Sequence, residues 1–208
     1  MKYQICVSGA ASGATVVSSH DLAYALGVEI AKAGKTLLTG ATVGLPHHAA
    51  MGFMSVKNAR GSSIGFSPAS SFREHVSTYR LPTDEFDYIN FTGMEYVGRD
   101  VHLVRSADAV ITVGGRMGSL HELATALESR KVCGILLGSG GLADYTATLL
   151  KHIEAPGAKD VIFDTDPKRL VSKVIAELDK KYADFIVPPS VRVDEAHARA
   201  GTAPKRRG

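Results

Sequence analysis

Short apolar runs alternate with longer stretches of helical spacing along this chain. The runs at 3–8, 36–38, 62–66, 86–91, 109–113, 132–137 and 160–163 are predicted strands. Between them, apolar residues recur every three or four positions, which predicts helices over 19–33, 45–59, 93–106, 119–130, 143–153 and 167–181. In the first of these, Leu22, Ala25, Leu26 and Ile30 mark successive turns, and Gly34 supplies a stop. Residues 67–83 are rich in Ser and Pro and read as an irregular excursion.

The strands are apolar throughout rather than alternating with a period of two. Strands of that kind are buried on both faces, as in a parallel sheet with helices above and below. The expected fold is a doubly wound α/β domain with a mainly parallel sheet, spanning residues 1–186. Residues 187–208, with paired prolines followed by Ala, Gly and basic residues, read as a flexible C-terminal tail. In such domains ligands bind beyond the carboxyl ends of the strands.

Composition narrows the class. The 208 residues are 45% hydrophobic, and no apolar run reaches the ~20 residues that span a bilayer. No membrane association is expected. The N-terminus lacks the layout of a signal peptide and starts a strand almost at once. Two cysteines, Cys6 and Cys133, do not make a disulfide framework and fit buried core positions, so a cytoplasmic protein is expected. The net charge of +3 sits largely in Lys205-Arg206-Arg207, and the body is close to neutral. That balance argues against nucleic acid as a partner.

Three glycine-bearing turns follow predicted strands: Ser8-Gly9-Ala10-Ala11-Ser12-Gly13, Thr39-Gly40-Ala41-Thr42-Val43-Gly44, and Gly114-Gly115-Arg116-Met117-Gly118-Ser119. A strand, a glycine turn and a helix start gather backbone N–H groups and the positive end of a helix dipole, which together hold an anion, most often phosphate. The expected ligand is therefore a phosphorylated small molecule. The first turn lacks Gly-x-Gly-x-x-Gly spacing, and no acidic residue ends the second strand, which disfavours NAD. No Gly-x-x-x-x-Gly-Lys-Ser/Thr is present, which disfavours an ordinary P-loop.

Two residues beside these turns carry candidate chemistry, and each has a plainer reading. Glu122 lies near the start of the helix after the third turn. There it is either the far end of a capping box with Ser119 or a carboxylate beside bound phosphate and sugar. Arg99 is either a surface partner of Glu95 one turn earlier or a guanidinium meeting phosphate or sugar oxygens. Arg116 is a second cation candidate. His20, His47, His48 and His121 fall near strand ends or helix starts, but their spacing matches no common zinc pattern. His47 and His48 are expected to contact the ligand or cap a helix, and no metal site and no resident cofactor are expected.

Gly98-Arg99, Arg105-Ser106-Ala107-Asp108-Ala109-Val110-Ile111 and Gly114-Gly115-Arg116-Met117-Gly118-Ser119-Leu120-His121-Glu122 together resemble the Lonely-guy (LOG) family, which has carried a lysine-decarboxylase label. The family's hallmark is Pro-Gly-Gly-x-Gly-Thr-x-x-Glu, preceded by an arginine on the helix before that strand. Here Val113 stands for the proline, two residues separate the glycines, and Ser119 stands for the threonine. The second turn, from Gly40 to Leu45, is similar to the family's Gly-Gly-Gly-x-x-Gly-Leu-Met-Gly, with Ala41, Thr42 and Pro46-His47 as departures. Asn90-Phe91-Thr92-Gly93-Met94 resembles the branch that includes the molybdenum-cofactor carrier proteins.

The resemblance implies a Rossmann-like, nucleotide-binding fold and a homodimer or homotetramer with sites close to the subunit interface. The implied activity is a hydrolase, a nucleoside 5′-monophosphate phosphoribohydrolase that cleaves the N-glycosidic bond of AMP or cytokinin riboside monophosphates. Arg99 and Glu122 would be its catalytic pair. Gly9, Gly44, Gly114, Gly115, Gly118 and Ser119 would form the phosphate and nucleotide site. The alternative is a non-catalytic nucleotide or molybdenum-cofactor carrier. Lysine decarboxylation is not expected, because nothing indicates a pyridoxal phosphate site.

Overall fold

The computed structural model describes residues 3–155 and 157–185. The chain runs β1 (Gln4–Gly9), α1 (Ala14–Lys32), β2 (Thr36–Thr39), α2 (Leu45–Met54), β3 (Ser63–Ser67), α3 (Phe72–Ser77), β4 (Tyr88–Phe91), α4 (Glu95–Ser106), β5 (Ala109–Val113), α5 (Met117–Glu128), β6 (Val132–Leu136), α6 (Gly141–His152), β7 (Ile162–Asp164) and α7 (Pro167–Lys181). Short 3-10 turns at Ala158–Asp160 and Ala183–Phe185 complete the described chain. The tail expected over 187–208 lies outside the described residues.

All seven strands are parallel, in the order β4-β3-β2-β1-β5-β6-β7. The chain winds outward from β1 to one edge, then crosses back to β5 and winds to the other. This is the doubly wound, Rossmann-like arrangement that the apolar strands predict, and it places the reversal of strand order between β1 and β5. Successive strand residues serve opposite faces. Ile5, Val7, Leu37 and Ile111 pack under α1, α2 and α7 with Leu26, Phe53, Leu170 and Val174. Cys6, Leu38, Val110 and Ile135 pack under α4 and α5 with Leu103, Val104, Leu123 and Leu127. Both cysteines are free thiols within this core.

Helix starts differ from the sequence expectation in an instructive way. α1 begins at Ala14, five residues before the predicted start, because Gly13, at φ 102, turns the chain directly into a helix. The β-branched Thr15, Val16 and Val17 disfavour helix intrinsically, but this preference is small and tertiary packing overrides it. α2 ends at Met54, ahead of the predicted 59. The stretch 67–83 contains α3, with Ser71 Oγ accepting from Glu74 N at 3.3 Å and Glu74 Oε2 accepting from Ser70 N at 2.7 Å. His75 pins this excursion inward, between Ser67 Oγ at 2.8 Å and the Pro82 carbonyl at 2.9 Å.

The helices on the α1 side pack unusually close. A Cβ on Gly27 of α1 would fall 1.8 Å from the Ala49 carbonyl oxygen of α2, and one on Gly52 of α2 would fall 2.0 Å from that of Tyr24. Each glycine admits the backbone of the other helix. This fixes α2, and with it the turn at its start, against the carboxyl end of β1.

Candidate functional site

A cavity of about 320 Å3 opens where strand order reverses, at the carboxyl ends of β1, β2 and β5. Register brings Gly9 at the end of β1 level with Val113 at the end of β5. The two following loops therefore leave the sheet side by side. A Cβ on Gly9 would fall 2.8 Å from the Val113 carbonyl oxygen and 2.9 Å from Leu45 Cβ, so a larger residue would force the loops apart.

The rim is an anion cradle. The β1–α1 loop contributes Gly9, Ala10, Ala11 and Ser12, and the start of α5 contributes Met117, Gly118 and Ser119. Neither α1, α2 nor α5 has a side-chain cap; Leu45 N of α2 donates to the Ala10 carbonyl at 2.9 Å, while at α5 no side chain competes for the N–H groups of Met117, Gly118 and Ser119. Arg116 ties the two loops together: its Nη1 donates to Ser12 Oγ at 2.6 Å and to the Ser12 carbonyl at 3.3 Å. The guanidinium thus lies across the mouth, on the exposed side.

The floor is a buried acid cluster. α4 and α5 pack on the same face of the sheet, and each keeps an apolar stripe inward, Leu103 and Val104 on one and Leu123, Ala126 and Leu127 on the other. One turn back, these stripes become polar. Arg99 and Asp100 occupy them on α4, and Ser119 and Glu122 on α5, all buried. Ser8 of β1, 1% exposed, donates its hydroxyl to Glu122 Oε2. The carboxyls of Glu122 and Asp100 lie within hydrogen-bonding reach of each other. On its other side Asp100 meets Arg99 Nε at 3.3 Å and shares a hydrogen bond with His121 Nδ1 at 3.1 Å.

Burial pushes the Glu122 carboxyl up from the ordinary 4.5 to about 7, and the negative charge of Asp100 adds to the effect. Arg99 and the Ser8 hydroxyl work in the opposite direction. Glu122 therefore exchanges its proton near neutral pH, which suits a general acid or base.

Arg99 is 5% exposed and lines the cavity, yet its Nη1 and Nε form no hydrogen bond among the described residues. A buried guanidinium with open donors is costly unless something fills them. The residue lines the cavity, so its cation stands beside any phosphate or sugar oxygen bound there.

Of the residues singled out from the sequence, Arg99, Glu122, Gly9, Gly118 and Ser119 line the cavity. Gly44, Gly114 and Gly115 shape its walls instead. Gly44, at φ 80, starts α2 against Ala10 and Ala11. Gly114 donates to Ser139 Oγ at 2.8 Å, and the Gly114 and Gly115 carbonyls receive Ala143 and Leu142 N–H at the start of α6. The capping-box alternative for Ser119 and Glu122 does not hold, because α5 already begins at Met117 and Glu122 turns to Ser8. Nor does Arg99 reach out to Glu95, since it is buried beside Asp100. Ser8, Thr42 and Pro46, read from the sequence only as parts of the glycine turns, join the site together with Asp100 and Tyr96, which were not marked. Asp100 left a local trace as a polar residue in the inward stripe of α4.

The four histidines do not converge on the cavity. His47 pairs with Glu85 at 2.9 Å, and His48 stacks near His20, away from the acid cluster. Among the described residues no group of His, Cys, Asp or Glu is placed to hold a metal ion. Nor, among them, is any helix long and apolar enough to cross a membrane.

A family model described as the SLOG cluster4 family matches residues 2–171. The solved structure of TM1055 superposes with a TM-score of 0.72 at 21% identity, covering 84% of this chain and 99% of that one, and shares the fold. The molybdenum cofactor binding protein of the phototrophic bacterium Rippkaea orientalis matches at 27% identity with a TM-score of 0.66, covering 86% of this chain and 98% of that one. The molybdenum cofactor carrier protein of Chlamydomonas reinhardtii gives the same figures, 27% identity, TM-score 0.66 and coverage of 86% and 98%. No curated protein matches the chain.

Proposed function

The chain belongs to the SLOG cluster4 family, and from the residues of its own site we propose that it binds a nucleoside 5′-monophosphate and hydrolyses the N-glycosidic bond. The observation that carries this reading is the buried cluster of Ser8, Arg99, Asp100 and Glu122 directly beneath an anion cradle. A cradle alone would serve a carrier. A carboxyl that titrates near neutral pH, aimed at the same space, serves bond cleavage.

The phosphate sits at the N-terminus of α5, on the N–H groups of Met117, Gly118 and Ser119, with Arg99 reaching its oxygens or those of the ribose. In its ionised form Glu122 stabilises the positive charge that develops on the sugar and takes a proton from the attacking water. The hydroxyl adds to the anomeric carbon, the bond to the base nitrogen breaks, and the base leaves with a proton from solvent. The volume of the cavity lies at the small end of the range for small-molecule sites, which suits a mononucleotide.

The similarity to molybdenum cofactor binding and carrier proteins favours a second reading, retention of a phosphorylated cofactor without turnover. The same cradle and the same Arg99 cation would hold its phosphate. Release of ribose 5-phosphate from AMP and from an N6-prenylated AMP, compared between the native protein and Glu122→Ala, separates the two. Turnover that disappears in the variant supports hydrolysis. Absence of turnover with both substrates, together with a ligand retained through purification and identified by mass spectrometry, supports the carrier. A homodimer or homotetramer is proposed for either case, and light scattering on the purified protein tests it.

A further inference from the structure

Asp100 and His121 have no part in the hydrolysis as drawn so far, yet they extend the buried cluster toward water. Glu122 lies at the floor, 7% exposed, between Ser8 of β1 and Asp100 of α4. Asp100, 5% exposed, passes the chain of contacts on, because its Oδ2 lies 3.1 Å from His121 Nδ1. The His121 side chain is 39% exposed. A continuous line thus runs from Glu122 through Asp100 to a ring that water can reach.

We propose that this line is the route by which the proton taken up by Glu122 leaves the site: Glu122 to Asp100, Asp100 to His121, His121 to solvent. The proposal rests on the reading of Glu122 as a group that gains and loses a proton during turnover. The groups facing it are few. Ser8 and the Cys6 thiol face Glu122 from β1, Arg99 and Asp100 from α4, and His121 lies beside it on α5. Arg99 Nε, 3.3 Å from Asp100 Oδ1, keeps a positive charge beside the carboxyl pair.

The step balances in one tautomer of His121. The protonated Glu122 gives its proton to the Asp100 carboxylate, the Asp100 acid gives one to the bare Nδ1 of the Nε2–H imidazole, and the resulting imidazolium releases its Nε2 proton to water, after which the exposed ring regains the Nε2–H tautomer through solvent. Without the route, the Glu122 proton would have to leave through the cavity, which bound ligand occupies. His121 and Asp100 are positioning residues in this account, since neither needs to touch the substrate.

The test does not depend on turnover. The protonated Glu122 carboxyl has its own infrared band, and with ribose 5-phosphate filling the cavity its loss can be followed in time after a jump from about pH 6 to about pH 8. In His121→Gln the amide still donates to Asp100 but cannot carry a proton. Loss of the band slows on the order of tenfold or more in this variant, and added imidazole restores it. In Asp100→Asn, removal of the neighbouring charge moves the equilibrium titration of Glu122 down toward the ordinary carboxylate range. Unchanged relaxation in His121→Gln, or slowing that imidazole does not relieve, overturns the route. An unmoved Glu122 titration in Asp100→Asn overturns it as well. Far-ultraviolet circular dichroism and melting curves establish that each variant is folded. A native protein that shows the relay but no AMP hydrolysis would sink the hydrolase reading and leave the route standing.

Discussion

The guanidinium of Arg99 occupies the space that a side chain on Gly40 would need. A Cβ at Gly40 would fall 1.7 Å from Arg99 Nη1 and 2.7 Å from Cζ. The glycine at the end of β2 therefore matters for its missing side chain rather than for phosphate contact. It lets an arginine from α4 lie flat on the backbone at the cavity wall.

Gly40→Ala is expected to push Arg99 out of place, costing about 1–3 kcal/mol of stability as overpacking does and weakening AMP binding about as much as Arg99→Ala. In the Arg99→Ala background the same substitution is expected to change binding little, because the clash is gone. Calorimetric binding across this double-mutant cycle checks it, and additive effects would disprove the coupling.

The rate on AMP should follow the ionisation of Glu122. Because the ionised carboxylate does the work and its value lies at about 7, kcat/KM is expected to rise with pH through that region and then level. Glu122→Gln keeps the shape but cannot ionise. It should lose about two orders of magnitude or more in rate and show no inflection near 7. A native profile that is flat from about pH 5 to about pH 9 would count against the role of Glu122.

The same group should leave a mark on stability. In the unfolded chain Glu122 ionises near the ordinary 4.5, whereas in the folded protein it holds its proton up to about 7. Between these values the unfolded state binds fewer protons, so this residue makes stability fall as pH rises, by at most about 1.4 kcal/mol per pH unit. Below the window it imposes no penalty, and above it the penalty is constant. Denaturant titrations of native protein and Glu122→Gln between about pH 4 and about pH 8 should differ in slope only across that window.

The close crossing of α1 and α2 gives a control outside the site. Gly52→Ala would place a methyl group 2.0 Å from the Tyr24 carbonyl oxygen, and Gly27→Ala one 1.8 Å from that of Ala49. Each is expected to lower stability by about 1–3 kcal/mol and to shift the denaturant midpoint accordingly. The Glu122 titration should stay unmoved in both, since the acid cluster lies on the other side of the sheet.

Two look-alike patterns show where sequence reading stops. Ser71-Phe72-Arg73-Glu74 and Ser119-Leu120-His121-Glu122 share the same capping spacing. The first does cap a helix, with Ser71 accepting from Glu74 N at 3.3 Å. In the second, Ser119 already lies inside α5, and Glu122 is drawn to a hydroxyl 114 residues away. Local spacing allows either outcome, and long-range packing selects one.

What the sequence determined by itself was the set of elements and the end of the sheet where a ligand would sit. Apolar runs without alternation require burial on both faces. Helical periodicity between them requires covering layers, and glycines after strands require open loops at the carboxyl ends. Arg99 and Glu122 could be marked from their places relative to those loops. The partners of these residues were decided by tertiary structure alone. Ser8 meets Glu122, Gly40 receives Arg99, and Asp100 joins Glu122 to His121 because strand order sets β1 beside β5 and packing brings α4 against α5. Such contacts span tens of residues, and no local period encodes them. They are fixed only when the core closes and each polar group left inside must find its partner.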